Sequence, residues 1–292
     1  MMRIALLGFG EAGQAFTAGW RELAQSPTEN LATYDIKIEN PSERENLQQA
    51  CARLDVFCAD DLVQAFSGRG AVFSLVTADR ALEAAQNAAS AIEAGSYYFD
   101  CNSCAPSTKA RAAKVLSTRG VRYVDVAVMA PVYPARHHTP LLIAGSDAQE
   151  ALALLTELGM NARIAGSEPG QASTIKMLRS VMIKGLEALT AECVLAARRA
   201  GVEDAVLSSL QASDPGIDWV KRSAYNLERM MVHGARRAAE MQEVARTLRD
   251  LGLPDRMTAA AADWQRQIAL LALKAEEEPL GARADRILGG LS

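Results

Sequence analysis

The chain has 292 residues, 49% of them hydrophobic and 23% charged, the balance of a folded protein rather than a disordered one, and its length suits about two domains. Lys plus Arg number 31 against 35 Asp plus Glu, a net charge of −4, which leaves no basic footprint for nucleic acid or an anionic membrane surface. There is no run of about 18 uncharged apolar residues and no cleavage site behind the short apolar run from Arg3. Neither a membrane span nor a signal peptide is therefore expected, and the chain reads as cytoplasmic. The five cysteines are odd in number. One pair, Cys101 and Cys104, is formally C-x-x-C, and the histidines lack zinc-finger spacing, so neither a disulfide framework nor a metal site is expected.

In chain order, apolar runs predict strands over residues 3–7, 31–36, 56–58, 71–76, 97–100, 121–128, 141–144 and 161–164. Helical spacing fills the intervals at 14–23, 42–54, 61–66, 79–94, 107–119 and 148–158. Strands alternating with helices of about ten to fifteen residues imply βαβ units and a mainly parallel sheet. Pro169-Gly170 punctuates the chain, and no strand is predicted beyond it. Ile175, Leu178, Met182, Leu186, Leu189, Cys193 and Ala196 keep helical spacing through one stretch, 172–200, about 44 Å long at about 1.5 Å per residue. Further helices are predicted at 203–212, 217–232, 236–251 and 256–277, broken at Asp214-Pro215-Gly216, Gly234 and Gly252-Leu253-Pro254. The end from Gly281 reads as frayed. The fold class is thus α/β: a mainly parallel-sheet domain over residues 1–168, then an all-α domain over 169–292 that starts with a long interdomain helix.

The first strand runs into Gly8-Phe9-Gly10-Glu11-Ala12-Gly13, which opens a helix, and Asp35 stands about 20 residues further on at the end of the second strand. Gly8 allows the tight turn, Gly10 lets backbone approach a pyrophosphate, and Gly13 lets helix and strand pack closely. The helix N-terminus supplies N–H groups and positive dipole for the diphosphate. Asp35 suits ribose hydroxyls and repels a 2′-phosphate, so a dinucleotide-binding domain of Rossmann type is expected, with NAD preferred and NADP possible. On the long helix, Lys176, Ser180 and Lys184 stand at i, i+4 and i+8, with Arg179 beside them, on one side. Such a cationic stripe can hold an acidic substrate, and a lysine in it can move a hydroxyl proton as hydride transfers; the alternative is a solvated face.

Four elements carry a resemblance to the β-hydroxyacid dehydrogenase superfamily, which includes 3-hydroxyisobutyrate and 6-phosphogluconate dehydrogenases. They are the Gly8–Gly13 loop; Asp100-Cys101-Asn102-Ser103 with Pro106, similar to the family's D-x-S-T-x-x-P loop; Asp125-Val126-Ala127-Val128, similar to D-A-P-V; and Lys176-Met177-Leu178-Arg179-Ser180 with Gly185, similar to the catalytic helix K-M-V-H-N. The resemblance implies that Lys176 is the general acid/base and that the helical domain forms a homodimer; Thr77, Asn102 and Ser103 are expected to hold the nicotinamide half, and Ser180 to bond the substrate hydroxyl or orient Lys176.

The departures concern the substrate. Met129-Ala130-Pro131 replaces S-G-G, Ser180 replaces Asn, Lys176 follows Gly170 by six residues instead of four, and the family's later Lys–Asp pair falls on Ala239-Glu240. The chain resembles a divergent, phosphogluconate-dehydrogenase-like branch. Candidate substrate contacts are Ser103, Met129, Ala130, Arg136, His137, Arg179, Lys184 and His233, with Tyr133, His138, Arg236 and Arg237 near them. The expected activity is NAD(P)-dependent oxidation of a small acidic β-hydroxy acid in the cleft between the domains. A non-catalytic NAD-binding sensor, favoured by Met129-Ala130-Pro131, and an imine reductase, disfavoured by Lys176, are the rivals.

Overall fold

The computed structural model describes residues 3–23 and 30–291. The chain divides into two compact units, Met1–Met177 and Leu178–Ser292. In the first, β1 (Ile4–Leu7), β2 (Ala32–Tyr34), β3 (Phe57–Cys58), β4 (Ala71–Ser74), β5 (Tyr97–Asp100), β6 (Arg122–Val128), β7 (Leu141–Ala144) and β8 (Ala162–Gly166) form one sheet. Its order is 3-2-1-4-5-6-7-8, parallel throughout except between β6 and β7. The connecting helices are α1 (Glu11–Arg21), α2 (Pro41–Arg53), α3 (Leu62–Phe66), α4 (Ala81–Ala88), α5 (Pro106–Ser117) and α6 (Ala148–Glu157).

Both faces of the sheet are buried at its central strands β1, β4, β5 and β6, which is why these strands read as continuous apolar runs. Successive side chains point to opposite faces. Ile4, Leu6, Phe73, Phe99 and Val124 join Phe16 and Trp20 in one core layer, where Phe73 stacks on Phe99 with ring centroids 4.6 Å apart. Ala5, Leu7, Val72, Tyr98 and Tyr123 join Ala85, Ala112 and Leu116 in the other. Strand order reverses between β1 and β4, and ligands of such sheets bind outside the carboxyl ends of the strands at that point.

The predicted helix over 79–94 is shorter than expected. It opens as a 3-10 turn, Ala78–Arg80, and ends at Ala88, where the Ser90 hydroxyl donates to the Asn87 carbonyl at 2.8 Å and competes with the helical pattern.

Helix α7 (Gln171–Arg199) continues into the second unit, which also holds α8 (Glu203–Ser213), α9 (Trp219–Asp250), α10 (Arg256–Leu270) and α11 (Leu280–Gly290). No strand lies beyond β8 among the described residues, and none of their helices is long and apolar enough to cross a membrane. Three expectations are corrected here. Gly234 does not break a helix: α9 runs straight through it. A Cβ at Gly234 would lie 2.6 Å from the Gln265 carbonyl oxygen and 3.0 Å from the Ala269 Cβ, so this glycine exists to let α9 and α10 approach. The helix predicted to 277 stops at Leu270, because Ala272 turns into the left-handed region at φ 50°. The end is not frayed: α11 buries Ala284 and Ile287, and Arg283 donates to the carbonyls of Ala224 at 2.6 Å and Glu276 at 2.9 Å.

Gly234→Ala is expected to destabilise the protein by about 2 kcal/mol in denaturant unfolding, because overpacking against backbone (about 1–3 kcal/mol) outweighs alanine's better helix propensity. A stability gain of about 1 kcal/mol, the propensity term alone, would show that the approach is not tight.

Candidate active site

Four neighbouring parallel strands end in the loops that hold Gly8, Asp35, Thr77 and Asn102. Gly8 has φ +94°, and a Cβ there would meet the Leu75 carbonyl oxygen at 2.9 Å, so the turn admits only glycine. A Cβ at Gly13 would lie 2.9 Å from the Gly8 oxygen. At Gly10 a Cβ would meet nothing within 4 Å, and Gly10 caps α1 without a side-chain hydrogen bond. The loop therefore leaves open backbone at a helix N-terminus, the geometry that accepts phosphate. Phe9 contributes backbone only, since its ring is buried in the core; Ala12 packs against the same core and Glu11 is exposed.

Asp35 is engaged by backbone N–H groups through both carboxylate oxygens. Its Oδ2 accepts the Phe9 N–H at 2.7 Å and its Oδ1 the Lys37 N–H at 3.1 Å. The carboxylate is 8% exposed and ties the glycine loop to the end of β2. Thr77 is exposed and opens the 3-10 turn after β4.

Asn102 is held from two sides. Its Nδ2 donates to Asp100 Oδ1 at 2.7 Å and to Ser74 Oγ at 2.9 Å, and its backbone N–H to Asp100 Oδ1 at 3.1 Å. The next residue, Ser103, accepts a hydrogen bond from the half-buried Lys176 Nζ. The start of α7 is fixed by Asp125 on β6, whose Oδ2 accepts the N–H groups of Gly170 and Ser173, each at 3.0 Å, and whose Oδ1 accepts the Ser173 hydroxyl at 2.5 Å. Gly170, at φ +102°, sits where a Cβ would press on Pro106 at 3.2 Å. The turn before α7 thus lies against the first residue of α5, and Lys176 is brought to the loop after β5.

In the second unit, Ser180 and Lys184 are buried, and Lys184 Nζ lies 2.8 Å from Glu240 Oε2 and 3.2 Å from Ser180 Oγ. Lys184 is therefore neutralised rather than a free cation of a solvated stripe. Arg237 pairs with Glu187, which also accepts from Gln265 Nε2 at 2.8 Å. Arg179 and Arg236 are exposed and His233 is half-buried.

Two expected substrate contacts are spent elsewhere. Arg136 pairs with Glu22 beside α1. His137 is buried against Gly19 and Gly159 and ring-packed on His138 at 3.9 Å. Among the described contacts neither meets Lys176 or Ser103. Met129 is half-buried against Ala127, Ala144 and Ala172, and Ala130 is exposed.

Among the described residues, neither His137 ring nitrogen has a hydrogen-bond partner. Burial first, then His138 and Arg136, push its pKa below the ordinary 6.5. The unfolded chain therefore takes up its proton first on acidification, and stability falls as pH drops from about 6.5 through the lowered folded value. His137→Leu is expected to remove that part of the pH dependence of the melting temperature; an unchanged slope would contradict the assignment.

Residues 3–166 match the family model described as the NAD binding domain of 6-phosphogluconate dehydrogenase, more than half of the chain. The chain belongs to the β-hydroxyacid dehydrogenase superfamily. Residues 197–268 match a domain of unknown function, DUF1932. A conserved hypothetical protein from Sinorhizobium meliloti 1021 is 37% identical, with a TM-score of 0.74 over 99% of this chain and 97% of its own. The 3-hydroxyisobutyrate dehydrogenase of Pseudomonas aeruginosa is 28% identical over 168 residues, 55% of this chain and 56% of that one, so the match spans about half of each. A Mycobacterium tuberculosis 3-hydroxyisobutyrate dehydrogenase, 14% identical, shares the fold over 98% of both chains with a TM-score of 0.72.

Sequence reading did not single out Lys109 and named Asp100 and Asp125 only as motif letters without a role, although all three meet at this site. Lys109 had a legible signal. It lies on the same helical stripe as Ala112, Ala113 and Leu116, which face the core, and a lysine on an apolar stripe requires acidic partners.

Proposed function

We propose that this chain oxidises a small β-hydroxy acid with NAD, and that Lys176 moves the hydroxyl proton. The carrying observation is the Lys176–Ser103 hydrogen bond, which puts an amine beside the loop after β5, at the carboxyl end of the sheet that also bears the glycine loop. The open backbone at Gly10 and the α1 N-terminus suit the diphosphate of a dinucleotide, and the Asp35 carboxylate favours a free ribose over a 2′-phosphate. A nicotinamide cofactor held there would supply the hydride acceptor for the β-carbon. In oxidation the neutral Lys176 amine takes the hydroxyl proton; in reduction the ammonium returns it. Asn102 and Ser103 orient the reacting half of the site, and Ser180, one turn along α7, assists Lys176.

The substrate class follows the family resemblance and the name of the Pseudomonas relative. A homodimer is proposed from α7, where Met182, Leu186 and Leu189 keep helical spacing and are 63%, 42% and 56% exposed. The test is formation of reduced nicotinamide from NAD and from NADP over a panel of β-hydroxy acids, phosphorylated and not. Turnover with NAD supports the reading. Tight NADH binding with no turnover on any member supports the sensor instead.

A further inference from the structure

Asp100 and Asp125 are register partners on adjacent parallel strands. By the alternation along β5 and β6 they share the face of Tyr98 and Tyr123, the layer that α5 covers. Both carboxylates are 0% exposed. Like charges directly opposite each other destabilise a sheet, and buried carboxylates need compensation. It comes from α5: Lys109, also 0% exposed, places Nζ 3.0 Å from Asp100 Oδ1 and 3.4 Å from Asp125 Oδ1, and donates to the Asp100 carbonyl. Tyr123 Oη adds a donor to Asp100 Oδ2 at 2.7 Å. Burial works against the Lys109 ammonium, but the two carboxylates outweigh it and hold its pKa above the ordinary value. It stays cationic up to at least about pH 10.

Each carboxylate also holds one half of the candidate site. Asp100 fixes Asn102 through two donors, and Asp125 fixes Gly170 and Ser173 through three. We infer that Lys109 is a positioning residue: by joining Asp100 and Asp125 into one buried hub, it sets the Asn102–Ser103 loop and the first turn of α7 together, and with them the approach of Lys176 to Ser103. Its effect on turnover rests on the proposed dehydrogenase reading; its effect on the two backbone segments does not.

The test is hydrogen–deuterium exchange on the intact protein for Lys109→Met, Asp125→Asn and the double variant. Methionine keeps an unbranched side chain one atom shorter and removes the charge. Asparagine keeps an acceptor for the Gly170 and Ser173 N–H groups and removes the second charge. Lys109→Met is expected to speed exchange at residues 101–106 and 170–177 by at least about tenfold, with α2 unchanged. The double variant is expected to return both segments to within about threefold of wild type. If Lys109→Met fails to fold, recovery of folding in the double variant is the expected result.

Unchanged exchange at the two segments, or a double variant no better than the single one, overturns the hub. With any substrate the wild type turns over, Lys109→Met lowers kcat and leaves the KM for NAD within about twofold; an unchanged kcat overturns the positioning role. A wild type without turnover counts against the dehydrogenase reading, and the exchange result alone then decides the hub.

Discussion

Lys176→Ala is expected to lower kcat by about 10²–10⁴-fold, the usual contribution of a positioned general acid or base, and to leave NADH affinity within about twofold. The two readouts separate because Lys176 meets Ser103, whereas the proposed diphosphate position lies at Gly8, Gly10 and Gly13 on another loop. Lys176→Arg is expected to fail nearly as badly, since a guanidinium keeps charge and reach but does not release a proton in proteins. Steady-state kinetics and calorimetric NADH titration of the same preparations check this. Retained turnover in Lys176→Ala would remove the lysine from the chemistry. Lost NADH binding in a folded variant would mean that the lysine holds cofactor.

Gly10→Ala is expected to weaken NADH binding by about ten- to a hundredfold, or about 1.4–2.8 kcal/mol, while stability falls by no more than about 1 kcal/mol. Gly10 has φ −77° and ψ −156°, a conformation open to alanine. The added Cβ meets no protein atom within 4 Å; it would occupy the space proposed for the approach of a pyrophosphate to the backbone. Gly8→Ala is the contrasting control. There the Cβ would strike the Leu75 carbonyl oxygen at 2.9 Å with φ at +94°, so the fold itself suffers. Titration calorimetry paired with thermal unfolding distinguishes the two. Full NADH affinity in Gly10→Ala would show that the loop does not carry the diphosphate.

The sheet was legible because each strand is a short apolar run between turn signals, and the period of two puts Ile4 and Leu6 in one layer and Ala5 and Leu7 in the other. The glycine loop was legible because steric demands fall on Gly8 and Gly13 at fixed spacing, with Gly10 open between them. What the sequence hid is long-range. Asp125 meets Ser173 across 48 residues, and no local pattern records that a strand carboxylate caps a helix so far along the chain. Gly234 illustrates a local ambiguity: a glycine that ends a helix and one that admits a neighbouring backbone look alike until α10 is seen beside it. Arg136 and His137 read as ligand residues because a polar loop after a strand reads as a ligand loop; the sequence did not show that Arg136 pairs with Glu22 and that His137 packs on two glycines. Lys184 read as a free cation because its partner, Glu240, lies on another helix.

Deuterium transfer from a β-hydroxy acid labelled at the β-carbon to the nicotinamide ring, followed by mass spectrometry of the recovered cofactor, is the most direct test of the proposed chemistry. Wild type is expected to deliver the label to the ring carbon that carries the new hydrogen, and Lys176→Ala to deliver it far more slowly at unchanged cofactor occupancy. Reduced cofactor that forms without the label, or label transfer at equal rates in both proteins, would contradict it.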